Sequence, residues 1–138
     1  KCSAGTGRFL EVMANTLSLT PKNLCELATK GGGISISSMC TVFAESEVVS
    51  LVAQNKDVAD IIHGLNVSVA SKVGALAARL GKKNPGEYMM TGGVARNKGI
   101  IQALEEKLGA KLYICDEAQL CGALGAALFA YEKCNAAL

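Results

Sequence analysis

Although the sequence holds six cysteines, it lacks a Cys-x-x-Cys pair, and this absence argues against a zinc ribbon or a thioredoxin-type redox site. It also lacks a signal peptide before the cysteines, which lie within regular apolar patterns, so we expect a reducing cytoplasm rather than a disulfide framework. Cys25, Cys115, Cys121 and Cys134 are accordingly interpreted as structural or incidental residues.

Strong charge and long apolar runs are also missing. The formal net charge is +2, with lysines and glutamates interspersed, so no basic stripe predicts a nucleic-acid partner or a membrane surface. No apolar run reaches the roughly 20 residues that span a bilayer. The single histidine, His63, has no matching carboxylate or serine pattern and is interpreted as a surface or boundary residue. Because nothing in the chain supplies a general base, a nucleophile or magnesium ligands, no catalytic residue is assigned.

The chain does have two cysteines that each precede a predicted helix. Cys40 stands where a short apolar strand gives way to a helix, and Cys2 precedes a glycine turn that opens onto another helix. The first N–H groups of a helix lack partners within it, and the helix dipole favours negative charge there, so both positions suit a thiolate. The alternative is that both cysteines are small buried hydrophobic residues. Ser38 or Thr41 is the expected N-cap of the helix after Cys40.

The sequence pattern predicts helices over residues 8–16, 21–29, 41–54 and 58–80. Thr20 and Pro21 give the second helix an N-cap and a proline at its first position, and Asp57 caps the longest helix. The third helix is expected to be buried over a wide arc, including Val42 and Val49. The three glycines at 31–33 are expected to be flexible and to let Cys40 move.

The last third alternates strand and helix. Residues 87–91 and 111–115 are predicted strands, and the helix over residues 97–108 between them suits a right-handed crossover and parallel pairing. Asp116 with Gln119 resembles a capping box for a final helix, whose glycines are expected to approach the sheet closely. Few aromatic residues and abundant alanine and glycine suit such helix-on-sheet packing. The predicted fold class is α/β, with a partly parallel sheet flanked by helices.

A second glycine motif lies where the first predicted strand becomes a helix, in residues 91–97 (TGGVARN). Gly92 and Gly93 let a ligand approach the backbone, and the helix beginning near Asn97 supplies free N–H groups. Taken alone, such a glycine pair is more often a simple turn.

Three motifs together resemble one family. Residues 2–10 (CSAGTGRFL), 37–47 (SSMCTVFAESE) and 91–97 are similar to the ATP-dependent activators of 2-hydroxyacyl-CoA dehydratases and to the ATPase subunits of benzoyl-CoA reductase. The similarity runs through the whole chain in the family's order. The 91–97 motif also resembles the adenosine motif of the actin, heat-shock chaperone and sugar-kinase superfamily, whose fold is actin-like (ribonuclease H-like).

The resemblance implies a homodimer that holds one 4Fe-4S cluster at its two-fold axis, each subunit giving the cysteines that match Cys2 and Cys40. It also implies that the protein binds ATP or ADP with magnesium, and that Gly92, Gly93 and Asn97 border the adenine and ribose. Gly5 and Gly7 approach the nucleotide from the other side in this interpretation, although their tight turn is equally explained as structural. The implied activity is ATP-driven transfer of one electron from a donor such as ferredoxin or flavodoxin to a CoA-ester dehydratase or reductase.

The resemblance also implies a second half. In the family, a comparable length of chain lies upstream and carries the phosphate-binding loops and the magnesium-positioning acidic residues. Residues 1–138 are therefore expected to be one domain, the C-terminal half of a two-domain ATPase, and not to hydrolyse ATP alone. Two rivals remain from the same superfamily: a nucleotide- or sugar-sensing module with inert cysteines, and the C-terminal half of a metabolite kinase.

Overall fold

The computed structural model describes residues 5–37, 40–79 and 87–136. Within these ranges the helices and strands follow the predicted order. They are α1 (Thr6–Thr16), α2 (Pro21–Leu27), α3 (Thr41–Ala53), α4 (Val58–Arg79), β1 (Tyr88–Met89), a 3-10 turn (Gly93–Arg96), α5 (Lys98–Leu108), β2 (Leu112–Tyr113) and α6 (Cys121–Ala136).

The long helix α4 forms the centre of the core. Ile61 and Leu65 are fully buried on it, and Ile100 is fully buried on α5, the helix that packs most extensively against α4. By length and composition alone α4 could cross a bilayer, a test that the buried core helix of a globular protein passes as well. His63 lies half-buried on the same helix, in agreement with its interpretation as a boundary residue.

Helix α1 packs against α3 on the other side of the core. Phe9 and Met13 on α1 belong to the same buried cluster as Ala44 and Val48 on α3. These two helices are the ones predicted to follow the two candidate ligand cysteines. Their shared core places the two helices in direct contact.

Two helix starts confirm the local signals in the sequence. Thr20 caps α2 by accepting a hydrogen bond from the Asn23 N–H at 3.2 Å, with Pro21 at the first position. Asp57 accepts from the Ala59 N–H at 2.7 Å before α4. Side-chain caps of this kind satisfy N–H groups that the helix itself leaves without partners.

The two strands form a parallel pair, as predicted. Tyr88 lies opposite Leu112 and Met89 opposite Tyr113. Each strand has two residues in the ladder, fewer than the predicted five. Within the described residues the sheet has these two strands, with β1 and β2 joined through α5.

The predicted strand before Cys40 is wrong for the part of it that the structure describes. Residues 34–37 have no strand partner among the described residues and run as irregular chain, with Ile36 buried in the core. The alternating Ile34 and Ile36 have the apolar spacing of a strand, but a strand also needs a neighbour for its backbone hydrogen bonds.

The three glycines do not form the freely moving hinge that we expected. A Cβ at Gly31 would overlap the carbonyl oxygen of Ala59, so the chain passes directly against the start of α4. The Gly32 N–H donates to Asp60 Oδ1 at 2.9 Å. Gly33 has a φ of 80°, which favours glycine. The segment is therefore held on α4 by one close approach and one hydrogen bond.

Helices α3 and α6 are far less buried than predicted. On α3, Val42 and Val49 are exposed and Phe43 is 66% exposed, while Ala44 and Val48 face the core. On α6, Leu124, Leu128 and Tyr131 are exposed. A Cβ added at Gly122 or Gly125 would have nothing within 4 Å, so the expected close approach to the sheet is wrong.

The predicted capping box at Asp116 and Gln119 is also wrong. Residues 116–120 form a turn, and α6 begins after it at Cys121. Backbone bonds hold this turn: the Ala118 N–H donates to the Cys115 carbonyl at 3.1 Å, and the Leu120 N–H to the Glu117 carbonyl at 2.7 Å. The helix therefore starts later than the polar pattern predicts.

Candidate functional site

Cys40 is the N-cap residue of α3. Its backbone is extended, with φ −86° and ψ 130°, and its carbonyl accepts from the Ala44 N–H at 2.9 Å. Its side chain makes no capping hydrogen bond. Of the two predicted caps, Thr41 is instead the first residue of the helix, and Ser38 lies outside the described residues. The Cys40 side chain therefore leaves the first N–H groups of α3 uncapped.

The Cys40 thiol is exposed to solvent. An accessible sulfur at the start of a 13-residue helix is open to a metal ion from solvent. Cys2, its predicted partner ligand, lies outside the described residues, so their meeting stays a prediction. Within residues 5–37, 40–79 and 87–136, no three metal-binding side chains lie close enough together to hold an ion.

Two glutamates hold the chain around Cys40. Glu47 accepts from the backbone N–H of Ser37 at 3.3 Å and from its hydroxyl at 3.4 Å, which fastens the segment before Cys40 to α3. Glu45 accepts from the Thr16 hydroxyl at 3.1 Å, which joins α3 to α1. Neither glutamate lies in the first turn of α3, so their role is to make these contacts rather than to complement the helix dipole.

Residues 91–97, which we call the 91–97 turn, form the second part of the site. Gly92 has a φ of 92°, and its N–H donates to the Ala118 carbonyl at 2.7 Å. A 3-10 turn follows, and then Asn97 caps α5: its Oδ1 accepts from the N–H groups of Gly99 at 3.0 Å and Ile100 at 3.2 Å. The turn is thus fixed at both ends.

The two glycine motifs meet in the fold. One groove, of about 460 Å³, is lined by Gly7 on α1 and by Gly93, Arg96 and Asn97 of the 91–97 turn, with Cys25 of α2 along its wall. A Cβ at Gly7 would lie 3.7 Å from Val94 Cγ2, an ordinary contact, so α1 and the turn touch.

A second cleft, of about 300 Å³, adjoins the first and is lined by Thr6, Gly7, Gly92 and Gly93 among others. The structure thus places four of the five predicted adenosine contacts around neighbouring cavities. Gly5 instead stands at the N-cap of α1, exposed, and does not belong to the described lining of either cavity.

Two arginines follow the glycine motifs. Arg8 Nη1 forms a surface ion pair with Glu11 Oε2 at 2.8 Å. Arg96 is exposed on the groove of about 460 Å³. Of the two, Arg96 is the one that lines the cavity.

The sequence interpretation missed one pair of side chains. Cys115 and Cys121, which we interpreted as incidental, bring their Sγ atoms to 3.6 Å across the turn of residues 116–120. The spacing of the two cysteines in the sequence did not predict this contact, because a strand end and a capping box were expected between them. The turn-forming backbone was the missing information.

Comparison with known proteins supports the resemblance. Residues 1–130 match the BadF/BadG/BcrA/BcrD ATPase family. The (R)-2-hydroxyglutaryl-CoA dehydratase activating ATPase of Acidaminococcus fermentans is 53% identical over 134 residues, which cover 96% of this chain and 51% of that protein. The benzoyl-CoA reductase of Thauera aromatica has a component that is 30% identical, over 96% of this chain and 50% of that component. The chain spans about half the length of the curated relatives it matches.

Solved structures agree. The crystal structure of component A of the (R)-2-hydroxyglutaryl-CoA dehydratase from A. fermentans superposes with a TM-score of 0.85 and covers 96% of this chain and 51% of that one. The activator of the 2-hydroxyisocaproyl-CoA dehydratase from Clostridium difficile, with bound ADPNP, superposes at 0.84 with 43% identity, over 99% of this chain and 51% of that one. The predicted actin-like fold is confirmed, and the chain belongs to the BadF/BadG/BcrA/BcrD ATPase family.

Proposed function

We propose that this chain is the C-terminal half of an ATP-dependent activator that delivers one electron at a time to a CoA-ester dehydratase or reductase. One observation carries the proposal: α1 lines the groove of the 91–97 turn through Gly7 and also packs in one core with α3, the helix that Cys40 begins. A single short helix therefore contacts both the candidate nucleotide groove and the helix of a candidate cluster ligand. Activators of 2-hydroxyacyl-CoA dehydratases are among its relatives.

The proposed nucleotide contacts are made by backbone and by one amide side chain. Among the described residues, a Cβ at Gly93 would meet only Gln119 Nε2, at 4.0 Å, so an adenosine has room to approach the backbone there. Asn97 already uses its Oδ1 for helix capping. The group that it offers a ligand is therefore its amide donor.

Cys2 and Cys40 are the proposed ligands of a 4Fe-4S cluster shared with a second copy of the chain. Two cysteines per chain complete a four-thiolate site only in a closed two-fold dimer. The exposed side chains of Val42 and Phe43, next to Cys40 on α3, fit such a contact between copies. When bound, the cluster would supply storage for the single electron, taken from a donor such as ferredoxin or flavodoxin.

The link between the two sites runs through α1. The buried contacts of Phe9 and Met13 and the hydrogen bond from Thr16 to Glu45 tie α1 to α3. A change of nucleotide that tilts α1 at Gly7 would therefore move the start of α3 and alter the exposure of Cys40. This is a two-state mechanism with a named moving element.

The phosphate-binding loops and magnesium ligands are proposed to lie in a second half of the protein. The relatives are about twice as long as this chain, and α6 exposes Leu124, Leu128 and Tyr131, an apolar face of the kind that packs against another domain. In this proposal the described half binds adenosine and supplies the thiols, ATP hydrolysis requires both halves, and the protein works in the reducing cytoplasm.

Anaerobic reconstitution with iron and sulfide tests the cluster. We expect broad visible absorption and one cluster per two chains, both lost in Cys2→Ser and in Cys40→Ser. The matched controls are Cys25→Ser and Cys134→Ser, which should keep the cluster because those thiols lie on α2 and near the end of α6. Iron uptake that survives both ligand substitutions would overturn the assignment.

Nucleotide binding is tested separately. Gly93→Val should weaken ADP binding, because its side chain would stand in the groove, while Gly32→Val, at a position with nothing within 4 Å of the Cβ, should not. A protein that binds nucleotide but takes up no iron would support the sensing-module interpretation. Phosphate transfer to a small metabolite by the longer protein would support the kinase interpretation.

A further inference from the structure

The thiols of Cys115 and Cys121 lie together at the two ends of a tight turn. Their Sγ atoms are 3.6 Å apart, and both side chains are half-buried, so the pair is sheltered but reachable by a small reagent. Cys121 Sγ also lies 3.6 Å from the Glu117 carbonyl oxygen. Two thiols at this distance are the immediate precursors of a disulfide, whose sulfurs stand about 2.05 Å apart.

The turn between the two cysteines supports the 91–97 turn. Ala118, at its centre, is buried, and its carbonyl accepts the Gly92 N–H at 2.7 Å. Gln119 is the residue nearest to where a Cβ at Gly93 would stand. Any change that stiffens residues 115–121 therefore also stiffens the backbone at Gly92.

We propose that Cys115 and Cys121 are a reversible dithiol–disulfide pair that, when oxidised, locks the turn of residues 116–120 against Gly92. The oxidant is a low-molecular-weight disulfide. One cysteine thiolate attacks a sulfur of that reagent and releases one small thiol; the second cysteine then attacks the mixed disulfide and releases the other. The protein loses two hydrogen atoms, and the reagent gains them as two thiols.

The surroundings allow this bond to form. The sulfurs must close by about 1.5 Å, the difference between their present distance and a disulfide bond. Cys121 opens α6, whose exposed side chains leave its first turn free to adjust. Bonds that close such short loops and stay accessible are the readily reduced ones.

The pair is independent of the proposed function, because its formation requires neither nucleotide nor iron. A variant with Cys2, Cys25, Cys40 and Cys134 changed to serine retains only this pair. Titrated with oxidised glutathione, it should lose both thiols, give one peptide linked between residues 115 and 121, and regain both thiols with dithiothreitol. Cys115→Ser in that background should instead carry one glutathione adduct on Cys121.

Two outcomes would contradict the proposed disulfide. One is two glutathione adducts in the two-cysteine variant. The other is a pair of thiols that stay free at oxidant concentrations that modify Cys115→Ser. If the variant with four serine replacements does not fold, the chain with its native cysteines can be oxidised instead. Peptide mapping should then find the linked peptide between residues 115 and 121. The locking role is measured separately: amide exchange at Gly92 should slow on oxidation by up to about fiftyfold, the limit expected from closing the short loop of residues 115–121. Unchanged exchange with the disulfide formed would contradict the locking role.

Discussion

The Thr16 hydroxyl on α1 lies 3.1 Å from the Glu45 carboxylate on α3, and this half-buried hydrogen bond joins the two helices that follow the candidate ligand cysteines. The same hydroxyl lies 3.0 Å from the Val12 carbonyl of its own helix. The single hydroxyl proton of Thr16 is therefore shared between an acceptor on α1 and an acceptor on α3. The contact adds a directional bond to an interface that is otherwise apolar.

We expect Thr16→Val and Glu45→Ala each to lower the free energy of unfolding by about 0.5–1.5 kcal/mol, with the double variant losing less than the sum. Chemical denaturation measures all three. Glu26→Ala is the control, since Glu26 sits 4.0 Å from Lys22 in an exposed pair that contributes about 0–1 kcal/mol. Simple additivity of the two changes would show that the bond does not couple α1 to α3.

Adjacent glycines give a matched pair of substitutions. Gly31→Ala should destabilise the fold by about 1–3 kcal/mol, because its Cβ would collide with backbone atoms of Ala59 that cannot move aside. Gly32→Ala has nothing within 4 Å of its Cβ and should stay within about 0.5 kcal/mol. Thermal unfolding of the two variants side by side provides the comparison, and equal melting temperatures would refute the close approach.

Asn97 separates helix capping from ligand binding. Asn97→Ala should cost about 0.5–2 kcal/mol, because the N–H groups of Gly99 and Ile100 lose their acceptor. Asn97→Asp keeps an acceptor at the same place and should be much closer in stability, since aspartate is an equally good N-cap. ADP affinity should fall in both variants, because both lack the amide donor; full affinity in Asn97→Asp would remove Asn97 from the nucleotide contacts.

Glu105 predicts a pH dependence of stability. The Lys111 ammonium and the Leu112 N–H, which donate to its carboxylate at 2.7 and 3.0 Å, lower the pKa of Glu105. A carboxyl whose folded-state pKa is depressed contributes stability above its unfolded pKa of about 4.3 and loses that contribution as the pH falls through the folded value. Glu105→Gln should therefore be less stable than the parent at pH 7, with a gap that narrows in acid. Urea midpoints across this range measure the gap, and a constant gap would exclude ionisation as its cause.

Features that depend on neighbouring residues were predictable from the sequence. Thr20 and Asp57 cap their helices through bonds to residues two or three positions away, and their residue types signal this directly. The parallel pairing followed in the same way from the spacing of strand, helix and strand. These features require no knowledge of distant contacts.

Features that depend on distant surfaces were not predictable. Val42 and Val49 have the spacing of a buried helix face, but nothing in the described part of the fold covers them. Gly31 was interpreted as flexible because its contact with Ala59 comes from a helix start far along the chain. The meeting of Gly7 with the 91–97 turn also needed the three-dimensional arrangement, and it was the family resemblance that indicated it beforehand.

Helix α6 has 16 residues, with most of its apolar side chains on the surface. Most of the stability of a helix in a protein comes from packing of its apolar face rather than from intrinsic propensity, so a helix without such packing has little stability of its own. Its amides should exchange with solvent sooner than those of α4, and its circular dichroism signal should melt first on warming. The helicity of α6 should therefore increase when another apolar surface packs against it.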